Sequence, residues 1–145
     1  MNHNPRQGEK SELAVASELM SQGYGVSFPF GHNYQYDLIV DTDGSLYRVQ
    51  VKTAKQEGGN RYFIQSGSNH YDEAHVDLLA GYSEDDVPVF FVPVCEATGR
   101  RQRVTYTDLD QMGSDENRDR ANHISEYRFE QAVKRTQTES CPDQD

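Results

Sequence analysis

Apolar and polar positions alternate with period two through "YQYDLIVDTDGSLYRVQVKT", residues 34–53, and the alternation breaks at Asp43-Gly44. Two β-rich runs flanking Asp-Gly predict a hairpin with a two-residue loop. Such a loop sets the pairing: Thr42 opposite Ser45, Val40 opposite Tyr47, Ile39 opposite Arg48, Asp37 opposite Gln50. Leu38, Val40, Val49 and Val51 then share the face that wants a core. Asp37, Gln50 and Lys52 share the other. Upstream, residues 9–23, "EKSELAVASELMSQG", carry a helical repeat closed by Gly23. Leu13, Val15, Ala16, Leu19 and Met20 make one apolar arc on the helical wheel, with Lys10, Ser11 and Glu18 opposite. Glu12 projects from near the middle of that arc, and Glu9 falls in it about one turn earlier. A carboxylate there is either paired or ligated within a buried site, or wet beyond the rim of the core.

Downstream the pattern is strand-like. "KQEGGN" reads as a loop into a strand "RYFIQS", followed by strands "VDLLAGY", "VPVFFVPV" and "QRVTY". Residues 111–122 are polar and read as loop, and "ISEYRFEQAVKR" reads as a terminal helix. One helix feeding a strand meander predicts an α/β layer fold, the N-terminal helix packed on a mixed sheet of about five strands. The chain of 145 residues supports one core, assigned to residues 1–135, with 136–145 as a disordered acidic tail.

Charge changes the picture more than length does. The chain carries 24 acidic residues against 14 basic ones, a net charge of −10, and only four of the basic residues are Lys. Phosphate binding is driven by Lys and Arg, so the balance argues against a nucleic-acid partner unless a local site overrides it. It equally suits a surface adapted to high salt. No apolar run reaches bilayer length and "MNHNPRQGEK" is no secretion signal, so no membrane association is expected. Cys95 and Cys141 form neither a disulfide framework nor a zinc pattern, which favours a reduced cytoplasmic setting, nucleoid-associated if the substrate is DNA.

The polar face of the hairpin offers hard oxygen ligands of the kind that suit Mg²⁺, with Mn²⁺ as substitute. Asp37 brings a charged oxygen and Gln50 a neutral one. The backbone carbonyl of Val51 is a further candidate ligand, and Glu12 is the second carboxylate if the helix reaches this end of the hairpin. Lys52 stands where it would orient water or stabilise charge on a phosphate. Arg48, Arg61, Gln65, Arg100, Arg101 and Arg103 are candidate DNA contacts, the last three forming the one dense basic cluster. His32 and Asn33 border the first strand of the hairpin, and His70 and His75 match no metal-site spacing.

An acid, twelve residues, then Gln-Val-Lys, preceded by a helical Glu, resembles the PD-(D/E)xK nuclease superfamily, the restriction-endonuclease-like fold. The likeness is closest to its subgroup related to group I intron homing endonucleases. It runs from Gly8 through Glu12 and the "YDLIV…YRVQVKT" hairpin to Tyr71–Asp77 and "VFFVPV", about residues 8–95. The resemblance implies that Glu12 is the helix-one acid, Asp37 the invariant metal-binding acid and Lys52 the catalytic lysine. Gln50 stands where most members have Glu or Asp, as in the intron-related subgroup, and Tyr36 replaces the signature Pro. The implied activity is Mg²⁺-dependent cleavage of DNA to 5′-phosphate and 3′-hydroxyl ends by a homodimer or tetramer. Two alternatives share the fold: a Holliday-junction-resolvase-like nuclease, and a DNA-binding or assembly module with weak or no catalysis.

Overall fold

The computed structural model describes residues 5–31, 34–56, 61–65, 74–84, 89–97, 101–105 and 123–137, with the side chains of residues 5–8, 65 and 101 outside the description. The N-terminal helix α1 spans Pro5–Ser21. It closes where the Gly23 and Tyr24 amides donate to the Met20 and Leu19 carbonyls, at 3.0 and 3.1 Å. Eight strands follow among the described residues: β1 (Gly25–Ser27), β2 (Leu38–Asp41), β3 (Leu46–Thr53), β4 (Lys55–Gln56), β5 (Arg61–Gln65), β6 (Leu78–Tyr82), β7 (Phe90–Pro93) and β8 (Arg101–Thr105). A 3₁₀ turn at Ile124–Tyr127 leads into the C-terminal helix α2, Phe129–Thr136.

The hairpin register is the one expected from its loop. Leu38 pairs with Val49, Ile39 with Arg48 and Val40 with Tyr47. Asp43 and Gly44 both take positive φ, 60° and 115°. These are the two left-handed positions of a type I′ turn, whose twist matches that of the flanking strands.

The strands divide into two sheets, one in the order β1-β2-β3-β6-β7 and one in the order β4-β5-β8. In the larger sheet β3 and β6 run parallel, and the other pairs are antiparallel. The fold is the mixed α/β arrangement expected, but not a simple meander. The chain leaves β3 through Ala54 into the second sheet and returns to pair β6 alongside β3. The reason is burial: four of the five residues of β6 are buried, so it belongs in the middle of a two-sided sheet. "KQEGGN", read as loop, begins with the short strand β4. The terminal helix is broken at Arg128, which takes an extended conformation between the 3₁₀ turn and α2.

One face of the larger sheet, with Leu38, Val40, Tyr47, Val49, Leu78, Ala80 and Phe91, packs on Val15 and Leu19 of α1 and on Phe129 and Ala132 of α2. The other face, with Leu79, Phe90 and Val92, packs on Tyr62, Ile64 and Val104 of the smaller sheet and on Ile124 and Tyr127. The apolar arc of α1 is rolled relative to expectation. Ser11 is buried, while Leu13 and Met20 are exposed. An arc of five apolar positions is wider than the stripe this contact covers, and Glu12 stays half-buried on its flank.

Cys95 is buried and disulfide-bonded, which corrects the reading of two unpaired thiols. Cys141 lies outside the described residues. No helix among the described residues is long and apolar enough to cross a membrane.

Candidate active site

Asp37 sits one residue before β2 begins, where β3 extends past its neighbour. Its amide donates to the Val49 carbonyl at 2.8 Å, continuing the ladder by one bond. Its carboxylate then turns along β3, and Oδ2 accepts the Val51 amide at 2.8 Å. The side chain thus takes the place that the next residue of a longer β2 would fill. In a strand the N–H and C=O of one residue point the same way, so the Val51 carbonyl also faces this open edge.

Glu12 reaches the same edge from α1, and its carboxyl hydrogen-bonds to that of Asp37. Desolvation is the largest influence on Glu12, followed by the Asp37 charge, that hydrogen bond and the Glu9 charge; together they push its pKa up to about 7. Asp37 is also raised, by burial, although the Val51 amide, Glu12 and Lys52 each favour its charged form. Burial and the neighbouring Asp37 charge thus favour the protonated form of Glu12. Of the alternatives left open for Glu12, the half-buried, paired one describes the molecule.

Gln50 and Lys52 alternate on β3 beside this pair and pair with Leu79 and Gly81 of β6. Both are half-buried. The Lys52 ammonium is close enough to Asp37 to stabilise its negative charge. Among the described residues no group of three or more His, Cys, Asp or Glu side chains is arranged to hold a metal ion. The groups brought together here are the Glu12 and Asp37 carboxyls, with the Val51 amide bonded to Asp37.

The remaining candidates are dispersed. The Arg48 guanidinium is engaged by Asp77, with Nε at 3.1 Å from Oδ2 and Nη2 at 3.2 Å from Oδ1, and Nη1 donates to the Ala74 carbonyl at 2.6 Å. The Arg48 amide also donates to Asp77 Oδ2 at 2.7 Å. That geometry ties β3 to the approach to β6 through Asp77 and the Ala74 carbonyl. Arg61 and Arg103 are exposed on β5 and β8 of the smaller sheet. Gln65 and Arg101 pair in the same two strands, but their side chains lie outside the described residues, as do His32, Asn33, His70 and Arg100.

Sequence reasoning missed one feature next to the site. Phe28, Phe30 and Tyr34 stand exposed between β1 and β2. The signal in the sequence is the aromatic cluster "FPFGHNYQY".

The chain matches the PD-(D/E)XK endonuclease family over residues 2–130 and belongs to it. Protein 5.3 of Escherichia phage T7 is 32% identical over 96 residues, 62% of this chain and 81% of that protein. Among solved structures, the bacterial homing endonuclease I-Ssp6803I superposes with a TM-score of 0.62 at 25% identity, covering 79% of this chain and 84% of that one. The Archaeoglobus fulgidus Holliday junction resolvase Hjc gives a TM-score of 0.46 at 16% identity, over 68% of this chain and 84% of that one.

Proposed function

We propose that the protein is a divalent-cation-dependent DNA endonuclease whose active site is Glu12, Asp37, Gln50 and Lys52. The observation that carries this reading is the Glu12–Asp37 pair: a chain that presses two carboxyls together at an open sheet edge has a place for a cation. The donors fit Mg²⁺ or Mn²⁺, since all are hard oxygens. Asp37 and Glu12 would hold the ion, with the Gln50 amide and the Val51 carbonyl completing the protein's share. A bound cation neutralises phosphate charge and lowers the pKa of water.

The chain's own residues do the rest. The Val51 amide holds the Asp37 carboxylate in one orientation. Lys52, fixed by the β3–β6 ladder, directs its ammonium to the edge where the scissile phosphate would lie, stabilising charge on the phosphate or orienting the attacking water. Gln50 contributes an oxygen without a third negative charge beside a pair that already repels.

Duplex cutting requires two such sites, which favours a homodimer or tetramer. The neutral Gln50 favours a second reading, a DNA-binding module that has lost turnover. Nicking of supercoiled plasmid in Mg²⁺ separates the two. The nuclease reading expects cation-dependent cleavage that falls at least about 10²-fold in Asp37→Ala and Lys52→Ala. Binding without cleavage of plasmid, linear or four-way-junction DNA supports the module instead.

A further inference from the structure

We propose that the segment between β1 and β2 is a base-stacking element, with Phe28, Phe30 and Tyr34 lying against unstacked DNA bases beside the scissile phosphate. The inference rests on the nuclease reading of the site and extends it to how this chain grips its substrate.

Phe30 is 100% exposed, Tyr34 53% and Phe28 48%. Pro29 and Gly31 (φ 112°) flank Phe30 and turn the chain there, so the ring stands at the apex. Tyr34 lies over Gly31, its Cε2 at 3.8 Å from where a Gly31 Cβ would be. The Tyr34 and Tyr36 rings pack at 5.4 Å between centroids with a 44° tilt. Tyr36 is followed directly by Asp37, whose amide and carboxylate are both bonded to β3. The aromatic segment is therefore anchored at the candidate active site and projects outward from it.

The occupant is argued from charge. A chain of net charge −10 with four lysines gains little from counterion release on DNA. Arg48, on the same strand as Gln50 and Lys52, is already engaged by Asp77. Affinity has to come from contacts that tolerate an acidic surface and high salt. Base–aromatic stacking meets that need, because it is sequence-tolerant and carries no charge. Apolar wedges also unstack base steps and bend the duplex, which presents the backbone to a shallow site.

The test is equilibrium binding of the full chain in Ca²⁺ to a duplex carrying 2-aminopurine beside its cleavage position, with plasmid nicking in Mg²⁺ run in parallel. Leu46→Ala, an exposed apolar residue on β3, is the control. Stacking predicts 2-aminopurine quenching that is lost in Phe30→Ala, an affinity loss of about tenfold for that variant, and a larger loss for the Phe28, Phe30, Tyr34 triple alanine variant. It also predicts that log K against log salt has a slope no steeper than about −3. A wild type that cleaves, with variants that bind and quench as it does, overturns the stacking element and leaves the nuclease reading standing. Self-association of the wild type that Phe30→Ala abolishes, with DNA affinity unchanged, also overturns it, assigning the rings to a second copy. A wild type that neither binds nor cleaves overturns both.

Discussion

Glu12 and Asp37 repel each other unless one is protonated or a cation lies between them, and that conflict has a measurable signature. The Glu12 pKa is raised from 4.5 to about 7, and Asp37 moves in the same direction. A carboxyl with a raised folded pKa contributes stability that is fully present below about pH 4.5. That stability is lost as the pH rises through about 7. Glu12→Gln cannot ionise, so it should melt like wild type at pH 5 and roughly 3 °C higher at pH 8, after allowance for solvent screening. Millimolar Mg²⁺ should narrow the gap at pH 8 by neutralising the wild-type pair. Equal melting differences at both pH values would sink this account. The same residues show what was legible beforehand. Leu38 pairs with Val49 because an Asp-Gly loop favours one register. Whether Glu12 was wet or paired depended on how far α1 rolled, which its own periodicity leaves open.

At the scale of elements, the tight spot in the larger sheet is the β6–β7 pair. Gly81 lies opposite Phe90. A Cβ on Gly81 would fall 2.3 Å from Phe90 Cζ, and the ring is 1% exposed, with no free volume to move into. Gly81→Ala should cost about 1–3 kcal/mol by overpacking, read from urea unfolding. Phe90→Leu added to it should recover part of the loss. An alanine variant as stable as wild type would mean that the ring is not held where the fold places it. This glycine stood out in no motif, since its constraint comes from a neighbour nine residues away across a turn. The parallel β3–β6 pairing was hidden for the same kind of reason. A hairpin declares itself through its loop, whereas a crossover partner is chosen by which strand must be buried on both faces.

Across the whole molecule, α2 closes the core that α1 opens. Phe129 meets Tyr24, Phe91 and Tyr47 edge-on, at 4.8, 5.3 and 6.1 Å between centroids. Beyond it, Gln137 Nε2 donates to the Tyr47 hydroxyl at 2.6 Å. Phe129→Ala should therefore cost about 3–5 kcal/mol in chemical denaturation, although it lies at the far end of the chain from the hairpin. A loss below about 1 kcal/mol would show that α2 is an ornament on a core complete without it.

What the sequence determined by itself is local and covalently close: the hairpin, its register, the polar row Asp37, Gln50 and Lys52, and the helix that carries Glu12. Each follows from side-chain periodicity or from a turn with few allowed geometries. Tertiary structure decided what required distant parts to meet. It joined Glu12 to Asp37, engaged Arg48 with Asp77, divided eight strands between two sheets and left Phe30 in solvent beside the site. Periodicity says which face of an element is apolar; only packing says what that face, or its opposite, will touch.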